Sequence, residues 1–273
     1  MALWEPLKWK VDPYAVKNNC DIIADIEIKY MLLNKDIVLG KLLYVEPMGF
    51  FEWKVYDSQD GNRIWQVVRK NSQKIYLQYL VSADWKTIHL MKDDTNTCKQ
   101  TAFEYAGIIL TAAFIKYSLL SFHGVLMEHN GSGVIISAAS GTGKTTHARL
   151  WRDHKNTLII NGDRAVCKHT DKGWIGYGTP WSGTSGEQIN RSVPLKALVV
   201  LERSEKNSAE VIYGMEAFSA VFPHVLYPSW DKELTEKAMD LLGDFMNHIP
   251  IIRLRCRPDV ESVDVLNQVL EEL

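Results

Sequence analysis

Residues 133–137, Gly-Val-Ile-Ile-Ser, run directly into Ala138-Ala139-Ser140-Gly141-Thr142-Gly143-Lys144-Thr145-Thr146, and His147-Ala148-Arg149-Leu150-Trp151 continues with helical character. An apolar strand, a short glycine-bearing turn and a helix commit this region to a strand–loop–helix unit. Such a turn sits at a helix N-terminus, where unpaired N–H groups and the helix dipole both favour an anion. The pattern for a phosphate cradle is G-x-x-x-x-G-K-[ST]. Ala138 stands where the first glycine belongs, which is tolerable if its φ is negative. Gly141 and Gly143 let the backbone close around phosphate, Lys144 is placed to neutralise the β- and γ-phosphates, and the Thr145 hydroxyl to sit on Mg²⁺. Ser140, Gly141, Thr142, Gly143, Lys144, Thr145 and Thr146 are therefore candidate nucleotide-binding residues, with ATP and Mg²⁺ implied. A glycine-rich turn that binds nothing is the plainer alternative, and the flanking strand and helix weigh against it.

The remainder of the chain sets limits. At 273 residues it has length for one large or two modest domains. A net charge of −2 gives no reason to expect nucleic acid or an anionic membrane as partner. The most apolar stretch, residues 106–115, is about half the length of a membrane span and reads as a buried helix. The N-terminus lacks a basic start followed by an apolar core, so no secretory signal is expected, and a cytoplasmic location is the expectation. Cys20, Cys98, Cys167 and Cys256 form no C-x-x-C pair, which fits reduced thiols rather than a zinc site. Nine tryptophans, several in loops, hint at a binding surface.

Short β-rich segments at 21–33, 37–45, 50–56, 64–68 and 74–79 are separated by turn signals such as Asn34-Lys35-Asp36, and they carry no catalytic spacing. The polar run Lys92 to Thr97 marks the candidate boundary between a β-rich region, 1–94, and an α/β domain, 95–273. A helix is expected over 100–120, with Phe103, Ile108, Ala112 and Ile115 on one stripe. Asn130-Gly131 between two apolar runs signals a hairpin that feeds the phosphate loop. Strands and helices then alternate to the end of the chain.

Asn161-Gly162-Asp163-Arg164 follows the strand at 157–160, so Asp163 stands at the carboxyl end of a strand, where a carboxylate faces phosphates. A turn aspartate with no such role is the bland alternative. The glycine-rich stretch 176–187, with Trp181, reads equally as a lid or as a connector. Arg164 and Arg191 are candidates to stabilise a transferring phosphoryl group, although arginines are ordinarily surface residues. Arg253, Arg255 and Arg257 share one strand face as a basic stripe or a solvated surface, and His147 reads as a helix-surface residue.

These residues resemble a branch of P-loop proteins, the HPr serine kinase/phosphorylases and the ATP-dependent phosphoenolpyruvate carboxykinases. Ser140 to Thr146 reads like the carboxykinase loop S-G-T-G-K-T-T, and His123-Gly124-Val125-Leu126 with Gly133-Val134-Ile135-Ile136 resembles the hairpin before the HPr kinase loop. The similarity covers 123–163. It implies a mixed-sheet α/β P-loop kinase domain of that type, preceded by a small β-rich domain suited to docking a substrate or partner. It further implies catalytic roles for Lys144, His123 and Asp163, with His123 near the transferred phosphate and metal contacts from Thr145 and Asp163. The families carry an Asp-Asp pair where this chain has Gly162-Asp163, so one carboxylate must cover two roles or another residue must help. No carboxykinase or HPr-specific substrate signature is present. Similar proteins occur beside genes for ribosomally made peptides, lasso peptides among them, and phosphorylate a serine of the precursor. The resemblance thus implies an ATP-dependent kinase acting on a hydroxyl of a peptide, small protein or metabolite, and admits a homo-oligomer. A nucleotide-binding regulatory module and a phosphorylase- or carboxykinase-like reaction are the rivals.

Overall fold

The computed structural model describes residues 8–14, 26–30, 37–93 and 99–273. Its contacts divide the chain into two units. One comprises residues 1–9, 16–117 and 229–232, and the other comprises 10–15, 118–228 and 233–273. The helix after the candidate boundary therefore goes with the first unit. The turn at 34–36 and the residues around 94–98, including Cys98, lie outside the described residues, as does Cys20.

After one helical turn, α1 (Lys8–Val11), the first unit is built on alternation. Trp53 and Val55, and Leu77, Tyr79 and Val81, recur every second residue, so these two strands each turn one apolar face inward, whereas the strand at 63–69 is buried on both faces. The strands are β1 (Glu27–Tyr30), β2 (Leu42–Met48), β3 (Phe51–Asp57), β4 (Arg63–Arg69), β5 (Ile75–Val81) and β6 (Thr87–Asp93). They form one sheet in the order β1-β6-β5-β4-β3-β2, antiparallel except at β1–β6. The strand expected at 37–45 begins only at Leu42. The unexpected β6 follows a turn without glycine, in which Trp85 itself takes a left-handed φ of 61°. Helix α2 (Lys99–Lys116) packs on the sheet, where the Tyr79 hydroxyl donates to Ala102 O at 2.6 Å and Trp53 meets Tyr105. It is buried on most of its circumference and Ile108 is only half-buried, so the expected single stripe does not hold. Ser118, with φ 61°, ends it before residue 120. Trp53, Trp65 and Trp85 are core residues here, as Trp151 and Trp174 are in the second unit, so these five form no binding surface.

The second unit centres on three neighbouring parallel strands, β8 (Ser132–Ser137), β12 (Ser192–Arg203) and β14 (Ile251–Cys256). The hairpin partner of β8 is β7 (Leu119–His129). Asn130 and Gly131, at φ 50° and 75°, close their turn in the type I′ manner that the Asn-Gly pair predicts. The sheet runs β11 (Gly173–Tyr177), β10 (Arg164–Thr170), β7, β8, β12, β14, β13 (Ser208–Ile212), with β9 (Leu158–Asn161) also paired to β7. Helices α3 (Lys144–Lys155) and α6 (Val260–Glu272) cover one face, where Val125, Val134, Ile136, Ala148, Trp151, Val199, Leu254 and Leu266 make a common core. Helix α4 (Gly214–Val221) precedes α5 (Lys232–His248), which meets β7 through the Phe122–Phe245 contact. This mixed α/β arrangement agrees with the expected class. No helix among the described residues is long and apolar enough to cross a membrane. Cys167 and Cys256 are buried free thiols, and burial pushes Cys256 up to about 11.

Candidate functional site

The parallel strands β8, β12 and β14 end side by side, with Ser137 opposite Val200 and Arg203 opposite Cys256. Carboxyl ends of parallel strands are where ligands of open α/β sheets bind. The glycine loop emerges there from β8. Ala138 is fully buried in the core and is not among the residues of positive φ, so its methyl group is accommodated where the pattern asks for glycine. Gly141 and Gly143 have φ of 74° and 123°, with open space where a side chain would stand. No side chain caps α3, so its first-turn N–H groups face the loop mouth. Arg203 donates to the carbonyls of Thr142 (3.2 Å) and Gly141 (2.5 Å), which steadies the loop from β12. Beside it opens a cavity of about 430 Å³ that Thr142, Thr146, Arg203 and Cys256 help to line, within the size range of small-molecule sites.

Strand pairing brings the reactive groups to this loop. His123 lies opposite Arg164 in the β7–β10 register, and Gly124 N donates to Asp163 O at 2.9 Å. Lys144 Nζ donates to Ala138 O at 2.9 Å and to His123 Nε2 at 3.1 Å. His123 Nε2 therefore accepts, which leaves the proton on Nδ1, 3.6 Å from Asp163 Oδ1. Burial and then the Lys144 charge lower the His123 pKa against the pull of Asp163, so the ring is neutral at pH 7. Burial likewise lowers Lys144, and Asp163 opposes it. Arg164 Nε stands 3.7 Å from Asp163 Oδ2. Lys144, His123 and Asp163 thus form one cluster. Thr145 is half-buried and Thr146 exposed in the first turn of α3, and Ser140 is exposed on the loop. These groups fit the implied ligands: an ammonium and uncapped N–H groups suit phosphate, while hydroxyl and carboxylate oxygens suit Mg²⁺.

No family model and no curated protein sequence matches this chain. Among solved structures, the Hpr(Ser) kinase/phosphatase from Coxiella burnetii is similar with a TM-score of 0.32 and 13% identity, over 56% of this chain and 97% of that one. A likeness of that size carries neither fold nor activity across, and the functional reading rests on the residues themselves.

Several site features lie outside what the motif shows. Asn161 is fully buried. Its Oδ1 accepts from the backbone N–H groups of Asp163 and Arg164, and its Nδ2 donates to the Thr179 and Trp181 carbonyls. One amide therefore fixes both the Asp163 turn and the glycine-rich loop, and the Asn-Gly-Asp sequence was the available signal. His224 lies close enough for Lys144 and His123 to help lower its pKa, after burial. No spacing pattern links it to them.

The loop after β11 is packed down rather than free. Ser182 is fully buried, Gln188 Nε2 donates to Lys10 O, and the Tyr14 hydroxyl donates to Thr179 O. A Cβ at Gly162 would lie 2.1 Å from Ser185 Oγ, so the loop fills the space that a side chain at position 162 would need. Gly162→Asp is therefore expected to destabilise the protein by about 1–3 kcal/mol, as overpacking does. Adding Ser185→Gly should recover part of this in thermal unfolding. Strictly additive losses from the two substitutions would contradict the packing argument.

Other expectations are corrected. His147 is buried, accepts from Trp151 Nε1 at 3.1 Å and, through Nδ1, donates to Ser262 Oγ. Burial drives its pKa to about 4, so it is a neutral strut between α3 and α6 rather than a surface residue. Arg253, Arg255 and Arg257 are engaged by Glu202, Glu216, Glu210, Asp259 and Glu261, so no open basic stripe exists. Arg191 forms a two-pronged pair with Glu128.

Proposed function

We propose that this chain is an ATP-dependent kinase that transfers the γ-phosphate to a hydroxyl, on a serine of a peptide or small protein or on a small metabolite. The supporting observation is the convergence of Lys144, His123 and Asp163 at a glycine loop on the carboxyl ends of parallel strands. In this reading the loop N–H groups of residues 140–146 cradle phosphate and Lys144 meets the developing charge. Asp163 takes the proton of the acceptor hydroxyl; the hydroxyl oxygen forms the new bond to the γ-phosphorus as the bond from that phosphorus to the β-phosphate oxygen breaks, leaving ADP. Mg²⁺, when bound, would neutralise phosphate charge, and Thr145 and Asp163 are the residues that would hold it. Neutral His123 accepts from Lys144 and so aims the ammonium at the loop mouth.

One observation favours a second reading. With Ser185 against Gly162 there is no room for a second carboxylate, as expected of a nucleotide-binding module without transfer. Incubating the protein with Mg-ATP and serine peptides or small hydroxyl metabolites separates the two by mass spectrometry. An acceptor gaining one phosphate supports the kinase, tight ATP binding with no modified acceptor supports the module, and absence of ATP binding overturns both.

A further inference from the structure

Far along the second unit from the loop in sequence, three side chains with no part in phosphoryl transfer converge. His169 is the penultimate residue of β10, while Asp244 and His248 stand one turn apart at the end of α5. Residues four apart on a helix share a face, so the pair presents two donors in one direction. His169 Nδ1 lies 2.7 Å from Asp244 Oδ2. His248 Nδ1 lies 3.2 Å from Asp244 Oδ1 and 2.8 Å from the Asp244 carbonyl. The ligand atoms of all three residues lie within 4.8 Å of one another.

The scaffold holds the imidazole that comes from the strand. His169 is paired across the β10–β11 register with Trp174, whose ring stacks on it at 3° with centroids 5.3 Å apart. Trp174 is buried and packs edge-on against Phe245, the residue after Asp244. One aromatic contact chain therefore positions the strand histidine against the helix end. The three side chains remain 36%, 37% and 51% exposed, which leaves an entry path from solvent.

We infer that His169, Asp244 and His248 form a binding site for a divalent transition-metal ion, zinc foremost. Two imidazole nitrogens and one carboxylate oxygen are the donor set of three-ligand zinc sites, in which a fourth position is left to water. Tetrahedral bonds of about 2.0–2.1 Å place neighbouring donors about 3.3 Å apart. His169 Nδ1 stands 2.7 Å from one oxygen of the Asp244 carboxylate and His248 Nδ1 stands 3.2 Å from the other, so shifts of roughly half an ångström would bring the donors to that spacing. Both Nδ1 atoms already face the carboxylate. In the bound form each Nδ1 would offer its lone pair, with the ring N–H on Nε2. The ion would tie the end of α5 to β10, independently of any nucleotide chemistry.

The test uses the full chain without a polyhistidine tag, stripped with chelator and titrated with Zn²⁺ alone. One zinc per chain at micromolar free ion is expected, with a rise in unfolding temperature. His248→Gln and Asp244→Asn should each weaken binding at least about 100-fold, the upper end of what losing even an outer partner costs. His248 is half-exposed at a helix end, so its replacement leaves the fold intact, which circular dichroism of the metal-free variants checks. His123→Ala should leave this affinity unchanged. The inference is overturned if the parent takes up no zinc at micromolar free ion, or if His123→Ala abolishes uptake while His248→Gln and Asp244→Asn do not.

Discussion

Lys144→Ala is expected to lower phosphoryl transfer by about 10²–10³-fold, the usual consequence of removing one aimed donor from developing charge. It should weaken ATP binding in the same protein. The ammonium stands 2.9 Å from Ala138 O and 3.1 Å from His123 Nε2, at the mouth of a loop whose N–H groups point the same way. Burial already disfavours its charge, so its retention makes sense where an anion returns the favourable interaction. The effect on folding should be small by comparison. Ala138 O and His123 Nε2 would each lose one partner, and a half-buried site lets water replace the lost hydrogen bonds. Lys144→Arg should not rescue, because a planar guanidinium does not fit a position defined by a compact ammonium. Isothermal titration with Mg-ATP and mass spectrometry of the acceptor read both quantities. If the alanine variant binds ATP as tightly as the parent, the loop is not a nucleotide site, and the kinase and module readings fall together.

How much of this was legible beforehand differs from element to element. The strand–loop–helix unit and the Asn130-Gly131 hairpin were readable because glycine and lysine spacing reports local backbone demands directly. The alternation of strands and helices expected after the loop is met in the α5–β14–α6 succession. By contrast, β6 stayed hidden because its turn places Trp85, not glycine, at positive φ, and α2 ends at a left-handed Ser118. Local signals also misled at His147, whose burial comes from α6, more than a hundred residues away in sequence. The same holds for Arg253 and Arg255, whose carboxylate partners lie on β12, β13 and α4. At the site, Lys144 and Asp163 could be named from their own neighbourhoods. Asn161 as a clamp, His224 as a neighbour and Ser185 as the occupant of the space beside Gly162 depend on how the chain folds back on itself, which no spacing encodes.

Asp163→Asn should lower transfer by about 10²–10⁴-fold, the range supplied by a positioned general base. ATP affinity should change far less than with Lys144→Ala. The substitution is well suited to the question because the backbone of residue 163 does the structural work: its N–H donates to Asn161 and its carbonyl accepts from Gly124. An amide side chain of the same shape leaves both bonds in place and removes charge and basicity, and with them the carboxylate contact that would help to hold Mg²⁺. The surroundings are tuned to that carboxylate. Gly183, at φ 56°, lies so close that a Cβ there would come within 2.6 Å of Asp163 Cγ. The glycine-rich loop is thus moulded on the aspartate, and Gly183→Ala should displace the carboxylate and reduce kcat with a smaller effect on the KM for ATP. Loss of the negative charge would also remove the one interaction that raises the pKa of His123 and of Lys144. Both groups would then titrate lower, and the residual activity of the Asn variant should shift its pH profile accordingly. Rapid-quench measurement of a single turnover separates chemistry from binding. If Asp163→Asn transfers phosphate within tenfold of the parent, the base lies elsewhere and one carboxylate was never asked to serve two roles. If transfer collapses while ATP binding persists, Asp163 is the carboxylate that transfer requires, and the space beside Gly162 belongs to the loop.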